Sequence, residues 1–214
     1  LVNVPVQVLG GLPDPDSAHG TCVLGILAAE DNNKGIVGIA PAAQLAFSPL
    51  KRAPGPGVVN PDKNVANAIF RAIQLQWHYP DYPMILLIEV GHFAGVGSDK
   101  TLPAEDEASV PDLIQLAIQF GMTVVEPAGN GGFDLDAYTK NGVRTLARAN
   151  FDSGAIMVAA AGAGMSQRKL PFSCYGSRVD CFAWGEGVRT CSLDVIPTLY
   201  RDFSGTSSAS AIVA

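Results

Sequence analysis

The segment Ser109–Ala128 reads SVPDLIQLAIQFGMTVVEPA, and it decides the fold class of this chain. In its first half, Leu113, Leu116 and Phe120 recur at the spacing of one helix face, behind a serine that can cap the helix. In its second half, Met122–Ala128 is a short, largely apolar run without polar alternation, as is typical of a strand buried on both faces. A helix that leads directly into such a strand predicts an α/β fold.

Short apolar runs and helical segments alternate along the rest of the chain. Val65, Ile69, Ile73 and Trp77 share helical spacing, which predicts a helix over 63–78 with Asp62 as its cap. The remaining predicted strands are Val4–Leu9, Gln44–Leu50, Met84–Val90, Ala155–Ala161 and Val179–Ala183. We therefore expect a mostly parallel central sheet with helices on both of its faces.

The length and composition predict one domain that is incomplete at both ends. The chain has 214 residues, of which 48% are hydrophobic and 16% charged, which is enough apolar material for a single core. Leu1 lies directly before the predicted strand Val4–Leu9, and the sequence shows no initiating methionine, signal peptide or transit peptide. Residues 207–214 begin a helix and stop before any helix terminator. We interpret residues 1–214 as one domain and expect the native polypeptide to continue beyond both termini.

Charge and cysteine content exclude several classes of partner. The net charge of −6 disfavours binding to a nucleic-acid backbone, and the longest apolar runs are too short to span a membrane. The four cysteines form no Cys-x-x-Cys pair and have no zinc-type histidine spacing. A bridge between Cys181 and Cys191 and a set of free, buried thiols both remain open interpretations.

Residues 16–29, DSAHGTCVLGILAA, place a histidine at the start of a helix rich in small residues. Gly20 and Gly25 allow close packing, which would hold the His19 imidazole rigidly beside a nucleophile. If His19 had only a structural role, the pattern of small residues around it would have to be a coincidence. We therefore interpret His19 as a general base.

Two further segments present a polar group among small residues. Residues 121–132, GMTVVEPAGNGG, form a strand and a turn that presents the Asn130 amide, a suitable donor to an oxyanion. Residues 203–214, FSGTSSASAIVA, put Ser207 in the first turn of a helix, where unpaired N–H groups favour negative charge. Each segment alone is a weak signal, because Gly, Asn and Ser are common in turns and caps.

In this order, the three segments resemble the subtilisin (subtilase) family of serine peptidases. The marks of that family are His-Gly-Thr-x-Val-x-Gly, Ala-Gly-Asn and Gly-Thr-Ser-x-Ala-Ser-Pro, with Ala211 standing here in place of the proline. Residues 170–176 and 179–185 also resemble family segments. The resemblance implies that His19 takes a proton from Ser207, that Ser207 attacks the scissile carbonyl, and that Asn130 helps to hold the oxyanion.

The catalytic aspartate of the family has no counterpart in this sequence. In the family it lies a few tens of residues before the histidine, whereas this chain begins 18 residues before His19. Asp14 and Asp16 are too close along the chain to replace it, and we interpret them as loop acids. We expect a remaining segment of the same protein to supply the aspartate, since activity without it should fall by roughly 10⁴.

The resemblance also implies two substrate-binding segments, formed by Glu89, Val90 and Gly91 and by Pro127, Ala128 and Gly129. A carboxylate at position 89 would favour a basic or polar residue before the scissile bond. The equally weighted alternative is that Glu89 turns away into a polar network. Glu126 and Pro127 replace small residues beside Asn130, on the edge of the same substrate pocket, so we expect an altered cleavage preference.

Residues 30–38 match in length a family loop that binds calcium through backbone carbonyls and an Asn side chain. The resemblance implies ligands at Glu30, Asn32, Lys34 and Ile36. Oxygen-rich turns suit a hard cation of this kind. In the family, further ligands come from the part of the domain that precedes this chain.

These features predict a serine endopeptidase that cleaves a polypeptide substrate through an acyl-enzyme. The family resemblance favours a secreted or exported protein. One alternative is an inactive pseudopeptidase, or an autocleaved domain that serves as a protein-interaction scaffold. An esterase or lipase is disfavoured, because the chain lacks the Gly-x-Ser-x-Gly elbow of those enzymes.

Overall fold

The structure is a computed structural model that describes residues 7–9, 18–50, 64–95, 97–193 and 199–214. Its helices are α1 (Ala18–Ala28), α2 (Val65–His78), α3 (Val110–Gln119) and α4 (Thr206–Val213), with a 3-10 helix at Ala104–Asp106. Its strands are β1 (Gln7–Val8), β2 (Ala46–Phe47), β3 (Ile85–Leu87), β4 (His92–Phe93), β5 (Thr101–Leu102), β6 (Thr123–Pro127), β7 (Ile156–Ala161), β8 (Cys181–Trp184), β9 (Val188–Cys191) and β10 (Tyr200–Phe203).

The central sheet is parallel and has the strand order β3-β6-β7-β8. Leu86 pairs with Val124 in one ladder, and Glu126 pairs with Met157 in the next. The apolar runs at 84–90, 122–128, 155–161 and 179–183 each supply one strand of this sheet, so the predicted parallel α/β fold is confirmed. The predicted strand at 44–50 shortens to β2, which pairs in parallel with β1.

Helices cover both faces of the central sheet. Val124 packs into a core with residues of α2 and α3, whereas the next residue, Val125, packs with Ala209 of α4. Successive strand residues point to opposite faces, so one strand holds both helical layers. Helix α1 lies against α4 through a smaller cluster of Val23, Ile26 and Ala211. The packing of α4 on the sheet and of α1 on α4 brings the segments at 19 and 207 to one place.

Three details of the helices differ from the sequence prediction. Ser109 precedes α3 but makes no side-chain capping hydrogen bond. Asn64 caps α2, because its side-chain oxygen accepts a hydrogen bond of 2.7 Å from the Asn67 backbone N–H, while Asp62 lies outside the described residues. Trp77 is 68% exposed and stacks on Phe120 at 5.7 Å between ring centres. Trp77 is therefore a surface contact between α2 and α3 and not a core residue.

The described residues contain all four cysteines, and none of them forms a disulfide bond. Cys181 and Cys191 do not form the bridge that the sequence allowed, and both carry free thiols. No helix among the described residues has the length and apolar character needed to cross a membrane.

Candidate active site

His19 and Ser207 meet although 188 positions separate them in the chain. The His19 Nε2 atom lies 3.0 Å from the Ser207 Oγ atom, within hydrogen-bonding distance. His19 stands in the first turn of α1, and Ser207 stands in the first turn of α4. The packing of these two helices therefore brings an imidazole and a hydroxyl group into direct contact, as a base and a nucleophile require.

Helix α1 is held in place by a close approach to β9. A Cβ atom at Gly25 would lie 2.4 Å from the Thr190 Oγ1 atom and 2.8 Å from the Cys191 backbone nitrogen, so only glycine fits there. The buried Thr190 hydroxyl donates a hydrogen bond of 2.5 Å to the backbone oxygen of Cys22. The close packing predicted at Gly25 thus fixes the helix that carries His19.

The environment of His19 favours its neutral form. Its ring packs edge-on against Phe203, with 5.4 Å between ring centres. Although about half of the side chain is exposed, burial of the remainder lowers the pKa of His19 below its usual value of 6.5. A neutral imidazole near pH 7 can accept the proton of Ser207.

Ser207 lies at a helix start that suits an oxyanion. Gly205 precedes α4 with a φ of 123°, a conformation that favours glycine, and it turns the chain from β10 into the helix. The Ser207 residue is only 9% exposed. Backbone N–H groups in a first helical turn have no helical partner and carry partial positive charge.

The Asn130 side chain is oriented by the residue that precedes the nucleophile. Its Oδ1 atom accepts hydrogen bonds from the Thr206 backbone N–H at 2.9 Å and from the Thr206 hydroxyl at 3.0 Å. These two donors define the oxygen end of the amide, which leaves Nδ2 as the end that can donate elsewhere. Asn130 is thereby a fixed amide donor beside the start of α4.

Glu89 reaches the same centre from the end of β3. Its Oε1 atom accepts a hydrogen bond of 2.6 Å from the Ser210 hydroxyl, and its Oε2 atom lies 3.9 Å from His19 Nε2. That Oε2 atom is buried and has no hydrogen-bond partner among the described residues. Burial raises the pKa of Glu89 to about 8, against the opposing effect of the Ser210 and Ser207 hydroxyls. Near neutral pH the structure thus holds an uncharged carboxyl group beside His19 and Ser207.

Glu126 does not face a substrate, contrary to the interpretation from sequence. It is fully buried, its Oε2 atom accepts a hydrogen bond of 3.3 Å from the Glu105 backbone N–H, and its Oε1 atom lies 3.8 Å from Arg178. Arg178 is itself fully buried and binds Glu105 through both Nε at 2.8 Å and Nη2 at 3.0 Å. Burial, followed by the neighbouring Glu105, raises the pKa of Glu126 well above its usual value. Position 126 belongs to a buried ion network behind the strand.

The two predicted substrate-binding segments lie on either side of β5. Pro127, Ala128 and Gly129 are buried, whereas Glu89, Val90 and Gly91 are half-buried. The backbone N–H of Asn130, at the end of the second segment, donates a hydrogen bond of 2.9 Å to the Thr101 hydroxyl of β5. Their role in binding a substrate stays a prediction.

The predicted calcium loop is closed by its own hydrogen bonds. The Asn32 Oδ1 atom accepts from the Lys34 backbone N–H at 3.0 Å, and Asn32 Nδ2 donates to Glu30 Oε2 at 3.2 Å. One side-chain oxygen of Glu30 and the side-chain oxygen of Asn32 thus have hydrogen-bond partners within the loop. The described residues contain no cluster of three or more His, Cys, Asp or Glu side chains that could hold a metal ion. Calcium binding through Glu30, Asn32, Lys34 and Ile36 stays a prediction.

Four contributors to this site were not identified from the sequence: Thr206, Ser210, Phe203 and Thr101. Three of them belong to the segment at 203–214 and lie close to Ser207 along the chain, so their contact with the site could have been predicted from the sequence. Thr101 had no such signal, because its segment carries no motif.

A serine with an adjacent imidazole, a fixed amide donor and a helix N-terminus is the arrangement of a serine hydrolase. The comparison with known proteins gives the family. The sequence model described as "Subtilase family" matches residues 10–214, and the chain therefore belongs to the subtilase family.

Individual relatives agree with this assignment. The chain is 27% identical over 198 residues to "Alkaline elastase YaB" of Bacillus sp. (strain YaB), a match that covers 92% of this chain and 43% of the relative. It is 25% identical over 198 residues to "Subtilisin BL" of Lederbergia lenta, covering 92% of this chain and 61% of the relative. The chain thus spans about half the length of these relatives.

The fold is also similar to that of solved structures. The structure described as "Crystal structure of a cold adapted subtilisin-like serine proteinase" has a TM-score of 0.63 and 21% identity, covering 97% of this chain and 64% of that chain. The structure described as "S41 Psychrophilic Protease" has a TM-score of 0.64 and 19% identity, covering 97% and 72%. At these identities, the likeness shows the fold.

Proposed function

We propose that the protein containing this chain is a serine endopeptidase that acts on polypeptides through an acyl-enzyme. The observation that carries the proposal is the 3.0 Å contact between His19 Nε2 and Ser207 Oγ at the start of α4. The membership in the subtilase family supports it. The names of the relatives, an alkaline elastase and a subtilisin, agree with it.

In the proposed reaction, Ser207 Oγ attacks the scissile carbonyl carbon while its proton passes to His19 Nε2. The carbonyl oxygen gains the negative charge, which Asn130 Nδ2 and the Ser207 backbone N–H stabilise. The imidazolium then gives its proton to the leaving amine, and an ester to Ser207 remains. Water attacks this ester while His19 takes a proton from that water. The bond to Ser207 Oγ then breaks, His19 gives its proton to Oγ, and the acid product leaves with the site restored.

The orientation of His19 requires a partner for its other nitrogen, Nδ1. We propose that a segment of the same protein outside residues 1–214 supplies the catalytic aspartate. Export from the cell is part of the proposal and rests on the family resemblance. The alternative, a pseudopeptidase or interaction scaffold, is an outcome of the test below.

The test is labelling of the full-length protein with a fluorophosphonate, together with hydrolysis of a peptide mixture. We expect Ser207→Ala to lose both labelling and cleavage, and His19→Ala to lose nearly as much, because the two residues act as one unit. Ser204→Ala is the matched control, since Ser204 is an exposed serine of the same segment and should leave both readouts intact. A folded parent protein that neither labels nor cleaves would leave the scaffold alternative standing.

A further inference from the structure

We propose that Thr101 is a specificity-determining residue, which limits the residue before the scissile bond to glycine or alanine. This inference rests on the proposed function and concerns the space between the two predicted substrate-binding segments. β5 runs through that space, where β4 holds it by antiparallel pairing, with His92 opposite Leu102 and Phe93 opposite Thr101.

The Thr101 side chain spans the gap from one segment to the other. On one side, a Cβ atom added at Gly91 would lie 2.8 Å from the Thr101 Cβ atom. On the other side, Thr101 Oγ1 accepts the 2.9 Å hydrogen bond from the Asn130 backbone N–H, and a Cβ atom at Gly129 would lie 2.5 Å from the Thr101 backbone oxygen. Both segments therefore touch Thr101 directly, with room for glycine only.

The space beneath Thr101 is also filled. Leu102 is completely buried and packs into a core cluster with Ala128 of the second segment and with Cys174. The Cys174 thiol donates to the Thr101 backbone oxygen at 3.5 Å. A substrate side chain cannot descend between the segments without displacing a packed leucine and a paired strand.

Thr101 itself is partly exposed, so it forms the surface that an incoming side chain meets beside Asn130. Glycine adds no side chain there, and alanine adds one methyl group. A phenylalanine side chain needs a pocket that buries roughly 150 Å² or more of its surface, and leucine needs one of similar depth. The Thr101 side chain and the buried Leu102 occupy that space.

The experiment uses the full-length protein and synthetic peptides that differ only in the residue before the scissile bond: glycine, alanine, leucine or phenylalanine. We expect kcat/KM for alanine to exceed that for leucine and phenylalanine by at least about tenfold, the discrimination that a misfit of a few methylene groups gives. Thr101→Ala removes the methyl and hydroxyl groups and should reduce this ratio about threefold or more. Thr101→Val keeps the shape and should keep the ratio, while the loss of the acceptor for the Asn130 N–H lowers all rates together.

Each outcome decides the inference. A parent enzyme that prefers leucine or phenylalanine, or a ratio that Thr101→Ala leaves unchanged, would overturn it, while labelling of Ser207 would keep the proposed function. Absence of both labelling and cleavage would overturn the two together. If Thr101→Val does not fold, the parent series and Thr101→Ala still give the answer.

Discussion

Replacing Glu89 with glutamine should make the protein more stable at neutral pH and remove a large part of its pH dependence. The Glu89 carboxyl is buried, and its pKa is raised to about 8 from an ordinary value of 4.5. The folded state therefore keeps a proton that the unfolded chain releases above pH 4.5. Stability falls as the pH rises from 4.5 to about 8, because folding must take up that proton or bury the charge.

The size of the effect follows from the two pKa values. With about 1.4 kcal/mol for each pH unit, the penalty is about 1 kcal/mol at pH 5, about 3 kcal/mol at pH 7 and about 4 kcal/mol at pH 8. Glutamine has the same shape, can accept the Ser210 hydrogen bond through its oxygen, and carries no titrating proton. The free energy of unfolding of Glu89→Gln relative to the parent should therefore grow by roughly 3 kcal/mol between pH 5 and pH 8.

The assay is urea unfolding at pH 5, 6, 7 and 8, with both proteins in the Ser207→Ala background to prevent self-cleavage. The pH-dependent part of the difference is the quantity of interest, since the fixed difference also contains the change from acid to amide. Glu186→Gln, at an exposed carboxyl, is the control and should give a nearly constant difference. A Glu89→Gln difference that stays constant within about 0.5 kcal/mol would refute the assignment of a buried, neutral carboxyl.

Two further predictions concern the groups that support the site. Arg178→Ala should lower the free energy of unfolding by about 3–5 kcal/mol, because it leaves buried carboxyl groups without their cation. Arg189→Ala is the control and should lower it by less than about 1 kcal/mol, because Arg189 forms an exposed pair with Asp202. Equal losses for the two variants in urea unfolding would contradict this prediction. Thr206→Val removes one of the two donors that orient Asn130 and should reduce kcat about threefold to tenfold with little change in KM; a change confined to KM would argue against an orienting role.

The sequence could predict those residues of the site whose place in a strand or helix also fixes their place in the fold. His19, Asn130 and Ser207 each stand at the end of a strand or the start of a helix, so knowledge of the α/β fold already places them near one edge of the sheet. Their contacts confirm that placement for His19 and Ser207. The parallel direction of the central strands follows from the same alternation of elements, whereas their order in the sheet depends on how the helices pack.

The error at Glu126 came from using its position along the chain and not its face of the strand. Val124 packs toward α2 and α3, and Val125 packs toward α4, which carries Ser207. Strand alternation puts residue 126 on the face of Val124, away from the nucleophile. The two-residue period of β6 is therefore enough to assign Glu126 to the layer opposite Ser207.

Thr101 could not be found in this way, because its position depends on where a segment without a motif returns to the sheet. β4 and β5 pair over only two residues each, and nothing in the sequence specifies that pairing against alternatives. What fixes it is the burial of Leu102 and the hydrogen bond from Asn130 to Thr101, both of which are contacts between distant parts of the chain.

At Glu89, the position and the protonation state of the side chain have different origins. Its position at the end of β3 was predictable, but its protonation state depends on burial and on the hydrogen bond from Ser210 of α4. With its pKa raised to about 8, the Glu89 carboxyl lowers the stability by about 3 kcal/mol at neutral pH relative to a side chain that does not titrate. Its Oε2 atom lies 3.9 Å from His19 Nε2 and has no hydrogen-bond partner among the described residues, so kcat of the Glu89→Gln variant measures what this carboxyl contributes to hydrolysis.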